Sequence, residues 1–182
     1  HRTLAVDSQL SQEMHEKENI QRCMTKLKEH IDEIKNFVRE HNCKSDEPCL
    51  VKMILDKAAQ KYDIPQALLY AVAQTESAWS GKDDIFSPRH GQWRLNGNVV
   101  SNENKCDKGG KKVVCSTDWG LMQINDYWHK DRTDMGQIKD DVFYNIMYGA
   151  SLVKSLYEKA KKFNKDKDRN WSAEELYRAT YS

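Results

Sequence analysis

No stretch of this 182-residue chain approaches 18 consecutive apolar residues, so no segment reads as a membrane-crossing helix. The chain opens His1-Arg2-Thr3 without the charged-then-apolar pattern of a signal peptide; a targeting segment is expected to have been removed or left out. Formal net charge is +1, which supplies no long-range field toward nucleic acid or an anionic membrane. A glycine-rich phosphate loop, a nucleophile elbow and a clustered basic-aromatic surface are all missing. None of the five cysteines forms a Cys-x-x-Cys pair, which argues against zinc. His15, His30, His41, His90 and His129 lie scattered, and none is assigned a metal or catalytic role. No cofactor is expected.

What is present suits one domain with a real core and an appendage. Apolar residues make up 38% and charged residues 31%, a balance that gives a well-solvated surface over a buried interior. Cys106 and Cys115 bracket a polar segment with Gly109-Gly110 at its middle, a turn that can bring the two thiols within bridging distance. Cys43 and Cys49 bracket a short loop containing Pro48 and are the next pair. Cys23 is then left over. Five reduced cysteines in a cytosolic protein is the alternative.

Residues 10–41 contain neither glycine nor proline and read as one helix. Ile20, Met24, Leu27, Ile31, Ile34 and Val38 recur at alternating four- and three-residue steps, which places all six on one stripe. That stripe must be buried, either on the chain's own domain or on a protein partner. Ser45 or Asp46 can cap the next helix, with Pro48 in its first turn, where a missing N–H costs nothing. Leu50, Val51, Ile54, Leu55, Ala58 and Ala59 form its apolar face, and it ends near Tyr62. Asp63 and Pro65 start a third helix, apolar nearly all round through Ala67, Leu68, Leu69, Ala71, Val72 and Ala73. A helix of that composition belongs in the core. It delivers Glu76 at its C-terminal end.

Helical periodicity disappears over residues 79–115. Asn96-Gly97 between Trp93-Arg94-Leu95 and Asn98-Val99-Val100 predicts a hairpin, and Lys112-Val113-Val114 a further strand. Residues 140–160 are helical again, with Val142, Phe143, Ile146, Met147, Ala150, Val153, Leu156 and Tyr157 at three- and four-residue steps. The mixed-charge stretch 159–169 reads as a solvated helix end and loop. Ser172 caps a last helix beginning near Ala173.

Two separated motifs carry the chemistry. Gln74-Thr75-Glu76-Ser77 ends the third helix. Ser116-Thr117-Asp118-Trp119-Gly120-Leu121-Met122-Gln123-Ile124-Asn125 lies downstream, followed by Asn145-Ile146-x-x-Gly149-Ala150-x-Leu152. Together they resemble the lysozyme-like muramidases, and among them the soluble lytic transglycosylases and their small secretion-associated relatives. The Ser-Thr-Asp-x-Gly-x-x-Gln-Ile-Asn form is shared with animal lysozymes. The resemblance runs from Ala58 to the end of the chain and leaves the first helix outside. It implies a mainly α (α+β) lysozyme-like fold with a small antiparallel β-hairpin region, residues 46–182, preceded by a helical N-terminal extension, residues 1–45. It also implies a peptidoglycan glycan strand as substrate and a periplasmic or secreted location, an oxidising compartment in which disulfides persist.

The implied reaction is cleavage of the β-1,4 bond between N-acetylmuramic acid and N-acetylglucosamine. Glu76 is the candidate general acid, since an apolar helix before it and Ala78-Trp79 after it can desolvate its carboxyl and keep the proton on. Asp118 is the candidate second carboxylate; the bland alternative is a turn residue bonded to its own backbone. Ser77 supports the acid in the family. Met122 and Gln123 belong to the sugar-binding wall, although simple alternation on an extended segment puts Gln123 and Asn125 outward and Met122 and Ile124 inward. Trp119, with Trp79, Trp93, Tyr127 and Trp128, can stack on sugar rings. Tyr181 stands where the family has a tyrosine, but Ser182 replaces the asparagine that follows it there. A lytic transglycosylase forming a 1,6-anhydro end is the reading preferred. A lysozyme-type hydrolase using Glu76 and Asp118 is the alternative, and an inactive murein-binding or assembly module a further one.

Overall fold

The computed structural model describes residues 2–40, 47–77 and 101–181, and the side chains within these except at 2–7, 47–49 and 181. The elements are α1 (Arg2–Glu40), α2 (Glu47–Tyr62), α3 (Gln66–Ser77), β1 (Ser101–Lys108), β2 (Lys111–Trp119), β3 (Ile124–Asn125), α4 (Asp126–His129), α5 (Met135–Asp140), α6 (Val142–Asp166) and α7 (Ala173–Tyr181). The expected Trp93–Val100 hairpin, Trp79, Cys43 and the cap of α2 lie outside the described residues.

The 25-residue helix α6 is the axis of the core. Asp141 starts it by accepting from the backbone N–H groups of Phe143 and Tyr144, and the same carboxylate takes a 3.0 Å ion pair from Lys35 of α1. Ile146, Met147 and Ala150 are fully buried on it, against Ile54, Leu55 and Ala58 of α2 and Leu68, Leu69 and Ala73 of α3. The stripe on α1 joins this same core: Leu27, Ile31 and Ile34 are buried and Val38 packs alongside. Own-domain docking therefore accounts for the C-terminal half of the stripe. The helix is longer than expected, beginning at Arg2. At the other end Ser172 caps α7 as expected. Its hydroxyl accepts from Glu175 N–H while the Glu175 carboxylate accepts from Ser172 N–H, a reciprocal capping box.

The sheet is antiparallel with order β1-β2-β3. Gly109 and Gly110 adopt positive φ (62° and 80°) between β1 and β2, the left-handed geometry a tight turn needs. A register shift at Asn104/Lys105 marks a bulge. Cys106 and Cys115 are bridged across this hairpin with Cα atoms 5.9 Å apart, as the loop pattern predicts. Cys23 is free and exposed. No described helix is long and apolar enough to cross a membrane.

Leu27→Asp places a charge where Leu27 is 5% exposed, between α1 and the core. The expected result is a loss of about 3 kcal/mol or more and a lower melting temperature. Thermal unfolding followed by circular dichroism reads it; an unchanged melt would mean that α1 does not dock. A second variant addresses the bridge: Cys106→Ser should destabilise by roughly 2–3 kcal/mol through the freed loop, and alkylation of the native protein without reductant should find both thiols blocked.

Candidate active site

The motif Gly120-Leu121-Met122-Gln123 folds as a turn, not as an extended segment. Gly120 has φ 83° and Gln123 φ 48°. The Gln123 backbone N–H donates to Gly120 O at 3.0 Å, and the Gln123 side-chain amide donates to the same oxygen at 2.8 Å. The local hydrogen bonds offset the cost of a non-glycine residue in the left-handed region. The in-out placement holds all the same: Met122 and Ile124 are buried while Gln123 and Asn125 keep partial exposure, and Leu121 also points inward.

Asn145, the first residue of the downstream motif, holds this turn from α6. It is fully buried and both polar atoms of its amide are bonded. Its Oδ1 accepts from Met122 N–H at 3.0 Å, and its Nδ2 donates to Trp119 O at 2.9 Å and to Ile138 O at 3.1 Å. A methyl group added at Gly120 would overlap the Asn145 side chain, so glycine is needed there for space as well as for φ. Gly149, one turn further along α6, leaves room for Met122: an added Cβ would stand 2.6 Å from the Met122 side chain.

The end of α3 meets the same turn. Ser77 is fully buried and its hydroxyl donates to Leu121 O at 2.6 Å. Glu76, the preceding residue, is half-buried in the last turn of α3. Ser77 and Met122, expected at the sugar-binding wall, are 0% and 5% exposed and pack behind this turn.

Asp118 is neither a turn residue nor bonded to its own backbone. It lies on β2, paired with Asn125 of β3 and Asn102 of β1. Its Oδ1 accepts from Asn125 Nδ2 at 2.7 Å and its Oδ2 from Asn104 Nδ2 at 2.9 Å, so two neutral amides hold the carboxylate from either side. Asn125 is held in turn: its Oδ1 accepts from Tyr127 and Trp128 N–H, capping α4, and its Nδ2 also reaches Ser116 Oγ at 3.1 Å. Asn102 and Asn104 were not foreseen, because β1 reads Ser-Asn-Glu-Asn-Lys-Cys-Asp-Lys without a strand's apolar alternation. Asn102 donates to Gln123 Oε1 at 2.6 Å, which links β1 to the turn.

The aromatic residues differ in availability. Trp119 is half-buried, with Nε1 donating to Asp126 at 3.3 Å and Lys139 Nζ 4.5 Å from its ring centre. Tyr127 and Trp128 are 57% and 70% exposed, their rings perpendicular with centroids 4.9 Å apart. They follow directly on Asn125, beside the strand that carries Asp118. Tyr181 lies in the last turn of α7, and the side chain of Cys49 lies outside the described ones. No described group of histidine, cysteine and carboxylate side chains could hold a metal.

His129 ends α4 and contacts Tyr148 of α6, Nδ1 to phenol oxygen 2.9 Å. Burial pushes the Tyr148 phenol up to about 12. Burial first, and then the Arg132 guanidinium, lower the His129 pKa.

Seven described helices with a small antiparallel sheet inserted after the third define a mainly α, lysozyme-like fold. The chain belongs to the Transglycosylase SLT domain family, whose model matches residues 53–180. That family is one of peptidoglycan lytic transglycosylases. Protein IpgF of Shigella flexneri is 28% identical over 140 residues, which cover 68% of this chain and 76% of that protein. Protein IpgF of Shigella sonnei is 27% identical over the same shares. No solved structure matches the chain significantly.

Asn145→Ala strands the Met122 N–H and the Trp119 and Ile138 carbonyls in the interior, at about 1–3 kcal/mol for each group left unpaired. The expected outcome is a stability loss of about 3 kcal/mol or more in urea unfolding, against less than about 1 kcal/mol for the exposed control Asn36→Ala. A loss no larger than the control would remove Asn145 from its bracing role. Acid should act through the lowered histidines. His129 and His30, the latter lowered first by burial and then by Lys61 and Lys26, bind their proton more readily unfolded than folded. Stability is therefore full above the ordinary value of about 6.5 and declines as pH falls below it. The double variant His30→Gln/His129→Gln should show a flatter melting temperature between about pH 7.5 and about pH 5.5 than the parent.

Proposed function

We propose that the chain cleaves the β-1,4 bond between N-acetylmuramic acid and N-acetylglucosamine in peptidoglycan, with Glu76 as general acid and then base. The observation that carries this reading is the link between the end of α3, where Glu76 lies, and the Gly120–Gln123 turn through Ser77 and Leu121. It ties the acid-bearing helix end to the segment that lines the groove in the family. Glu76 protonates the glycosidic oxygen as the bond to the muramic acid anomeric carbon breaks, and positive charge develops on that sugar. Glu76, now a carboxylate, accepts the proton of the muramic acid 6-hydroxyl as that oxygen attacks the anomeric carbon. The products are a 1,6-anhydro end and a free N-acetylglucosamine 4-hydroxyl.

Gln123, Asn125, Trp119 and Tyr181 are proposed contacts of the glycan, and the exposed Tyr127–Trp128 pair a stacking surface beside them. The Cys106–Cys115 bridge supports an oxidising compartment, and with the substrate it supports a periplasmic or secreted location.

One observation favours a second reading. Asp118 is held between two amides on a strand, a setting that fixes the carboxylate in place. If it faces the scissile bond opposite Glu76, it stabilises the charged centre or forms a glycosyl intermediate, water completes the reaction, and the end is a reducing sugar.

Glu76→Gln is nearly isosteric and cannot deliver a proton. Murein digestion by the purified, folded variant should fall by at least about 100-fold; turnover within a few-fold of the parent would take Glu76 out of the reaction and favour a murein-binding or assembly role. Asp118→Asn should slow either reaction. Mass spectra of the earliest muropeptides separate the two readings, since products heavier than the anhydro form by one water, with no anhydro species, assign hydrolysis.

A further inference from the structure

The N-terminal part of α1 projects from the domain. Residues 8–19 are exposed throughout. Leu10 and Met14 are among the large apolar side chains the molecule leaves in solvent, at 52% and 62% exposure, and the shallow surface hollow beside them is lined by α1 alone. The buried stripe does not stop where the domain stops. Upstream of Leu27 the same three- and four-residue steps pass through Met24, Ile20, Lys17, Glu13 and Leu10. Two charges of opposite sign therefore interrupt an otherwise apolar seam.

Those two charges select a partner and an orientation. A parallel second copy would set Glu13 against Glu13 and Lys17 against Lys17. An antiparallel second copy, with its two-fold axis beside His15, sets Glu13 against Lys17 twice and Leu10 against Ile20 twice. It also brings Met14 of one copy beside Met14 of the other at the axis. We propose that this stretch of α1 is a self-complementary antiparallel pairing surface whose occupant is a second copy of the chain. The symmetry is isologous and closed, so pairing ends at a dimer. A cavity of about 720 Å³, lined in part by Cys23, Met24, Leu27, Tyr62 and Tyr148, opens where α1 joins the domain and leaves space for the end of the second helix. On the other flank Glu16 faces its own copy, a like-charge contact that keeps the dimer in exchange with monomer.

The whole chain is tested by sedimentation equilibrium up to about 100 μM, the range in which so short a seam should associate. A concentration-dependent dimer is expected. Lys17→Glu, which sets carboxylate against carboxylate, should weaken it by at least roughly tenfold. The exchange Glu13→Lys/Lys17→Glu restores opposite charges and should restore the dimer. Neither position touches the core, so circular dichroism should report an unchanged fold. Orientation is read by a disulfide. Gln9→Cys lies on the same flank as Cys23 of the second copy and should yield a covalent dimer under mild oxidation. Wild-type Cys23 residues, separated along an antiparallel pair by about 24 Å, should not join through this seam. A monomer at every concentration, as would follow if another protein covers the seam, overturns the proposal. So does a dimer indifferent to Lys17→Glu, or one in which Cys23 bonds Cys23 and Gln9→Cys adds nothing.

Discussion

The amide of Asn145 is the contact on which the site depends. It is one side chain, fully buried, that binds the backbone of two separate segments through both of its polar atoms. A buried amide with all its partners is stable where it is, and one missing any of them is not. This makes the arrangement all-or-none. The residues around it conform to the amide: Gly120 has no Cβ because the Asn145 side chain occupies that space, and Gly149 has none because Met122 does. Four residues from two separated motifs are thus one steric and hydrogen-bonded unit, and the turn they shape is the one to which α3 is tied.

The fold was legible wherever burial imposes a period. The stripe on α1, the apolar faces of α2 and α3, and the steps of α6 each follow from side chains that must face one core. The cap at Ser172 was legible too, because its signal is local. The hairpin was legible at its turn and bridge, through Gly109, Gly110 and the two cysteines, and at Lys112-Val113-Val114 within β2. Strand β1 was not, since its side chains are mostly exposed and nothing selects apolar residues at every second position. Asn104, one of the two residues that hold Asp118, was lost with it. The turn at Gly120 to Gln123 was misread for a different reason. Alternation of apolar and polar residues there matches a strand's period, but the glycine and the Asn145 contact decide the conformation, and that contact lies outside any local window.

Helix α1 shows how one sequence period can serve two surroundings. From Leu27 to Val38 the stripe is covered by α2 and α6, and the burial of each large side chain there contributes about 1.5–3 kcal/mol relative to exposure. Before Cys23 the stripe continues with no such cover, and there charged residues enter it. A lone helix segment of this length is marginal in water. It is carried by continuity with the docked half, which supplies the costly nucleus and a fixed direction.

The site is framed by directed bonds more than by apolar contact. Ser77 to Leu121, Asn102 to Gln123, Gln123 to Gly120, Asn125 to Asp118 and Asp126 to Thr117 are each a side chain tied to a neighbouring segment. Apolar packing tolerates small shifts, because dispersion is non-directional and its optimum broad. A hydrogen bond weakens steeply with distance and angle. Proton transfer to a glycosidic oxygen requires the donor to be placed to within a fraction of an ångström. A frame of short polar links supplies that precision, with the apolar core behind it supplying the free energy to hold the frame together. On the proposed reading of Glu76 as the acid, the bonds of Ser77 and Asn145 fix the place from which it would act.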